Sequence, residues 1–180
     1  MRIIAGAWRG RPLAAPEGGA TRPTSDRARE GLFSILTSRI GTFEGLHVAD
    51  LFAGTGALGL EALSRGAAHC RFVENDRNAV DAIRRNVDRL GAAEQADVMS
   101  QSVEHVAPPS RPCDLVFLDP PYATGLAEMA LERLRDPAWM APSGLISVES
   151  DGSLIVPSFF DVATERRFGK ARVHLLRRHS

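Results

Sequence analysis

One stretch limits what this chain can become more than any other. His47-Val48-Ala49-Asp50-Leu51-Phe52 is an apolar run of buried-strand type, and Ala53-Gly54-Thr55-Gly56-Ala57-Leu58-Gly59 follows it at once. A strand running into Gly54, Gly56 and Gly59 at G-x-G-x-x-G spacing makes a tight turn, lets backbone approach a ligand closely and aims a helix N-terminus at it. His69-Cys70-Arg71-Phe72-Val73 reads as the second strand and ends in Glu74, twenty positions after Gly54. A carboxylate there can take both ribose hydroxyls of an adenosine-containing cofactor. Glycine turns and acids at strand ends are each common alone. Strand, glycine turn, helix, strand and acid in series point to an α/β unit that holds a nucleoside cofactor.

A second local pattern supplies chemistry. Leu115-Val116-Phe117-Leu118 is another apolar strand, and Asp119-Pro120-Pro121-Tyr122 stops it. Two prolines offer no N–H and fix φ, so the strand ends there with Asp119 at the sheet edge. Ligands of open α/β sheets bind at the carboxyl ends of the strands. In that place Asp119 and the Pro120 carbonyl can accept hydrogen bonds from an amino group, and Tyr122 can stack on the ring that bears it. Standing alone, the same residues would read as a mere strand terminator.

The rest of the chain fits around these two anchors. Residues 2–6 read as a short strand, and the prolines and glycines of residues 12–23 mark an irregular segment. Thr24-Ser25-Asp26 offers N-cap residues for a helix with Ala28, Leu32, Ile35 and Leu36 in its apolar stripe. A helix from Asp76 to Leu90 carries Val80, Ile83, Val87 and Leu90 on one face and stops at Gly91. Residues 96–99 form a weak third strand, 114–118 the fourth and 144–149 the fifth. A short helix covers 126–134, and 161–168 with 171–176 straddle Gly169-Lys170 as a terminal hairpin. Residues 151–160 show no helical pattern. The expectation is a single domain of 180 residues. Within it, residues 1–40 form an extension facing RNA and cofactor, and residues 46–180 form a doubly wound, mostly parallel core with an antiparallel C-terminal hairpin.

Composition narrows the function classes. A hydrophobic share of 44% with 24% charged residues is that of an ordinary soluble protein, and no apolar run approaches a membrane span. Cys70 and Cys113 are far apart in apolar strands, as befits two buried thiols of a cytoplasmic protein. His47, His69, His105, His174 and His179 have no metal-ligand spacing, so no metal is expected. The net charge is zero but unevenly spread. Residues 1–29 carry six arginines against Glu17 and Asp26, and residues 165–180 carry six basic residues against Glu165. Basic ends on a neutral chain suit a local polyanion contact, and arginine suits bidentate phosphate binding.

Taken together, Asp50-Leu51-Phe52-Ala53-Gly54-Thr55-Gly56, Glu74 and Asp119-Pro120-Pro121-Tyr122 resemble the motifs of S-adenosylmethionine-dependent amino methyltransferases. The opening is more specific. Arg2-Ile3-Ile4-Ala5-Gly6-x-Trp8-Arg9-Gly10-Arg11 and Arg22-Pro23-Thr24-Ser25-Asp26-Arg27-x-Arg29-Glu30 resemble the bacterial 16S ribosomal RNA guanine-N2 methyltransferases, the ribosomal RNA small subunit methyltransferase D family. The likeness runs from residue 2 to the hairpin at Phe168-Gly169-Lys170. It implies a Rossmann-like class I methyltransferase fold and methylation of one guanine in the 16S ribosomal RNA of the small subunit.

The resemblance also implies residue roles. Asp119, Pro120 and Tyr122 would be catalytic. Asp50, Ala53, Gly54, Thr55, Gly56, Glu74, Asn75, Ser102, Val103 and Thr24 would hold S-adenosylmethionine. Arg9, Arg11, Arg22, Arg27 and Arg29 would touch RNA. Ser102 stands near where the family's pattern leads one to expect an acid. Other readings are a DNA or RNA amino methyltransferase acting on adenine N6 or cytosine N4, a nicotinamide-dependent oxidoreductase, and a cofactor-free RNA-binding module. The oxidoreductase leaves Asp119 to Tyr122 without a role, and the binding module leaves Glu74 and the glycine turn without one.

Overall fold

The computed structural model describes residues 1–16, 25–122 and 124–179. Its centre is a seven-stranded sheet. The strands are β1 (His47–Leu51), β2 (His69–Glu74), β3 (Ala96–Ser100), β4 (Cys113–Leu118), β5 (Met140–Ser150), β6 (Phe160–Phe168) and β7 (Ala171–Arg178). Their order is β3-β2-β1-β4-β5-β7-β6. The first five are parallel, and β7 joins β5 antiparallel as half of the β6–β7 hairpin. Strand order reverses between β1 and β4, which opens a crevice at the carboxyl ends of the sheet. Among the described residues no helix is long and apolar enough to cross a membrane.

Alternation along the strands builds a core on each face. Val48, Leu115 and Phe117 point to one side, under α1 (Asp26–Ile40), α2 (Ala57–Ser64) and α3 (Arg77–Leu90). Ala49, Leu51, Val116 and Leu118 point to the other, under α4 (Leu126–Arg133), Trp139 and Phe160. Local chemistry sets the helix ends. The Ser25 hydroxyl accepts from the Ala28 N–H, and the Asp76 carboxylate accepts from the Ala79 N–H at 2.8 Å. Gly91 ends α3 in the left-handed conformation at φ 67°.

Three sequence expectations change. Residues 2–6 make no strand beyond a single bridge between Arg2 and Pro12. Ile3 still pairs with the backbone of Gly10 and Arg11, while the next residues turn to helix side chains. The Glu61 carboxylate accepts from the Ile4 and Ala5 N–H groups at 2.8 and 3.0 Å, and the Ser64 hydroxyl accepts from Trp8. Secondly, Phe52 leaves the first strand at φ 64°, a left-handed conformation rare for a bulky residue. Thirdly, β5 starts at Met140 and carries Pro142, because a register shift opposite 113–115 spares that position a ladder bond. Residues 151–159 cross from β5 to β6 without forming a helix.

Candidate active site

The crevice holds a cavity of about 610 Å³, inside the usual range for small-molecule sites. Every core strand that ends there contributes an acid: Asp50 from β1, Glu74 from β2, Glu104 in the loop after β3, Asp119 after β4 and Glu149 from β5.

The glycine turn forms its floor. Gly56 sits at φ 77° as the N-cap of α2, and its N–H closes the turn onto the Ala53 carbonyl at 2.7 Å. Gly59 lets α2 lie directly on β2: a Cβ there would come within 2.4 Å of the Phe72 ring and 2.6 Å of the Cys70 sulfur. The Asp50 carboxylate, fully buried, accepts the Gly59 N–H at 2.9 Å and ties strand to helix. Burial pushes this carboxyl well above the usual range; the Gly59 bond opposes the shift, and the charges of Asp119 and Glu74 add to it.

Among the described residues Glu74 is held by three backbone N–H groups. One oxygen accepts from Gly54 N–H at 2.9 Å, the other from Asn75 and Asp76 N–H at 2.8 Å each. The carboxylate is therefore oriented before any ligand arrives. An ionised carboxylate has about four acceptor positions, so three backbone bonds leave it capacity for a hydroxyl.

The opposite wall is the 119–122 loop. The Tyr122 hydroxyl donates to Glu149 at 2.6 Å, which fixes its ring at the cavity edge. Pro120 is buried and Pro121 exposed, both bordering the cavity. Phe168 and Lys170 of the β6–β7 turn close a further side, with the Phe168 ring seated against Gly31.

Most sequence-selected residues meet here. Asp50, Ala53, Gly54, Thr55, Glu74, Asn75, Ser102, Val103, Asp119, Pro120 and Tyr122 all line the cavity. Gly56 does not: it is buried against Phe72 and Ile83, and serves the turn's conformation. The Ser102 hydroxyl lies 2.9 Å from His105 Nδ1, so the loop after β3 offers a hydroxyl already engaged by an imidazole. Thr24 and Arg22 lie outside the described residues. Arg9, Arg11 and Arg27 are exposed and outside the cavity lining.

Arg29 needs correction as an RNA contact. Its side chain is wholly buried, bonded to Asp26 and the Arg2 carbonyl at 2.6 Å each and facing Glu61 at 3.9 Å. It braces α1 against the N-terminal segment, and a buried guanidinium cannot meet a phosphate on the surface. The sequence reading also missed Glu149, Glu61 and Asn86. Asn86 bonds both polar groups of Ala14 and the Thr55 carbonyl, tying the N-terminal segment to the glycine turn. Each works through a partner at least 27 positions away, which no local motif reveals.

Cys70 and Cys113 are free and buried, and burial pushes the Cys113 thiol up to about 12. Both are inert packing groups.

Comparison with known proteins places this geometry. The family described as conserved hypothetical protein 95 matches residues 1–177. Ribosomal RNA small subunit methyltransferase D of Escherichia coli is 39% identical over 183 aligned residues, covering 100% of this chain and 91% of the relative. The solved structure of yhhF from Escherichia coli superposes with a TM-score of 0.86 at 38% identity, over 100% of this chain and 98% of the other. At the level of fold, the likeness extends to the Thermus thermophilus 16S rRNA N2 G1207 methyltransferase, solved with AdoMet and guanosine. There the TM-score is 0.67 at 20% identity, over 91% of this chain and 45% of that one.

Proposed function

The chain belongs to the conserved hypothetical protein 95 family and is a relative of the ribosomal RNA small subunit methyltransferases D, and from that premise we propose that it methylates the N2 amino group of one guanine in 16S ribosomal RNA. The observation that carries this reading is the meeting of Asp119, Pro120 and Tyr122 with Glu74 and the glycine turn around one cavity.

The residues present fit S-adenosylmethionine. Glu74 is preset for a ribose hydroxyl, Gly54 faces open space where a side chain would intrude, and Ser102 and Val103 border the place for the adenine. Five acids line the cavity against Arg29 and Lys170, an acidic balance that suits a cationic ligand. The cofactor supplies an electrophilic methyl group on a sulfonium.

The protein's task is then to aim the amine. The guanine N2 lone pair is delocalised into the ring. Asp119 and the Pro120 carbonyl accept its two hydrogens, favour a pyramidal nitrogen and turn the lone pair toward the methyl. Tyr122, held by Glu149, offers its ring face to the base. Positioning of this kind carries much of the rate enhancement. Asp119 needs no raised basicity before attack, because the methylated amine is acidic and gives up its proton afterwards. The target base must leave its stack, at a cost of a few kcal/mol that is least in a loop.

The small ribosomal subunit is the proposed RNA source and the cytoplasm the proposed compartment. The test is mass spectrometry of 16S ribosomal RNA nucleosides from a strain lacking the gene. Loss of one N2-methylguanosine is expected. Loss of a methylated adenine or cytosine in its place would contradict the guanine reading.

A further inference from the structure

A second cavity, of about 370 Å³, shares Pro120, Pro121, Tyr122 and Glu149 with the first. The 120–122 loop is thus a partition with a cavity on either side. The start of α4 and the 150–155 segment form the other walls. Beyond Ser150, which ends β5, the sequence offers that segment no regular structure and the mechanism above no use.

Its chemistry is specific. Glu128, Glu149 and Asp151 line it, and among the described residues no lysine or arginine does. Its walls are internally tied: the Ile155 N–H donates to Glu128 at 3.2 Å, the Ser153 N–H to Asp151 at 3.0 Å, and the Tyr122 hydroxyl to Glu149 at 2.6 Å. Each carboxylate keeps acceptor positions beyond these bonds. Ile155, at 73% exposure, is the most exposed large hydrophobic side chain among the described residues. An apolar rim over three carboxylates, with no cation among the described lining residues, disfavours a phosphate. It suits a flat ring that carries an amino group.

Resting on the guanine reading above, we infer that this cavity receives the base next to the target guanine, and that it favours a neighbour with an exocyclic amino group. Drawing one base into the first cavity breaks its stacking on the adjacent base. That neighbour is left with an uncovered face directly across the partition, where Ile155 and Pro121 offer apolar contact and the acids accept amino hydrogens. Adenine and cytosine satisfy this; uracil has no such donor.

Binding of short ribonucleotides in the presence of S-adenosylhomocysteine tests it. Guanosine monophosphate is compared with dinucleotides that pair guanosine with adenosine, cytidine, uridine or an abasic residue, in both orders. One stacked base contributes about 1–3 kcal/mol, so in at least one order the adenosine or cytidine dinucleotide should bind about fivefold or more tighter than the monophosphate. Uridine should give less and the abasic residue nothing. Ile155→Ser, at an exposed position, should cut the gain about threefold or more and leave monophosphate and cofactor affinity unchanged.

Equal binding of monophosphate and all dinucleotides overturns the subsite while the guanine site stands. So does a gain that survives Ile155→Ser. If cofactor bound but neither the monophosphate nor any dinucleotide did, the guanine reading would fall and the subsite with it. If Ile155→Ser weakened binding to assembled subunits but not to dinucleotides or protein-free RNA, the cavity would belong to a protein partner, which also overturns the inference.

Discussion

Gly59 shows how far a single residue can be read. The glycine pattern reads as a tight turn at a ligand, whereas the structure gives Gly59 a packing role, with helix laid on strand against the Phe72 ring and the Cys70 sulfur. Gly59→Ala should therefore lower stability by about 1–3 kcal/mol, the usual cost of forcing a methyl into a filled core. Urea unfolding measures it, and an unchanged midpoint would mean that α2 and β2 can part without loss. Arg29 departs further. In sequence it is one more cation in a basic segment; in the fold it is buried beside Asp26 and Glu61. Nothing local distinguishes it from exposed Arg27, because burial depends on where α1 docks. Burial alone would raise the pKa of Asp26; the Arg29 hydrogen bond and charge, with the N-terminus and Arg2, hold it below the usual carboxylate range.

Elements with one clean period were legible. The α3 helix, with its Asp76 cap and Gly91 stop, needed only its own residues. The opening segment did not, since its hydrogen bonds run to Glu61, Ser64 and Asn86 on two later helices. Those bonds hold its backbone firmly while leaving Arg9 and Arg11 exposed. As a rigid cationic edge it should contact RNA phosphate. RNA affinity should fall by roughly 0.7–0.9 log units per tenfold rise in salt for each phosphate contact. Replacing Arg9 and Arg11 together by alanine should flatten that slope and leave cofactor affinity unchanged. Equal slopes for both proteins would make these arginines a solvated surface only.

At the scale of the molecule, the alternation of strands and helices was enough for the doubly wound sheet and its antiparallel hairpin. The acid-lined crevice followed from it, because Asp50, Glu74 and Asp119 each lie near or just beyond the carboxyl end of a recognisable strand. What could not be read was contact across the crevice: Glu149 on Tyr122, and the β6–β7 turn bringing Phe168 and Lys170 to the cavity. Such pairs are set by sheet order, which puts β5 beside β4 and β7 beside β5. The central claim is that this crevice aims an amino group through the acceptors of the 119–122 loop. Methyl transfer to small ribosomal subunits by Asp119→Asn and Asp119→Ala, with cofactor binding measured on both, tests it most directly. Asp119→Asn keeps an acceptor oxygen and should retain cofactor binding and part of the turnover. Asp119→Ala should bind cofactor as before and lose turnover far more severely. Wild-type turnover in Asp119→Ala with normal cofactor binding would contradict the account and leave the two prolines as no more than the end of a strand.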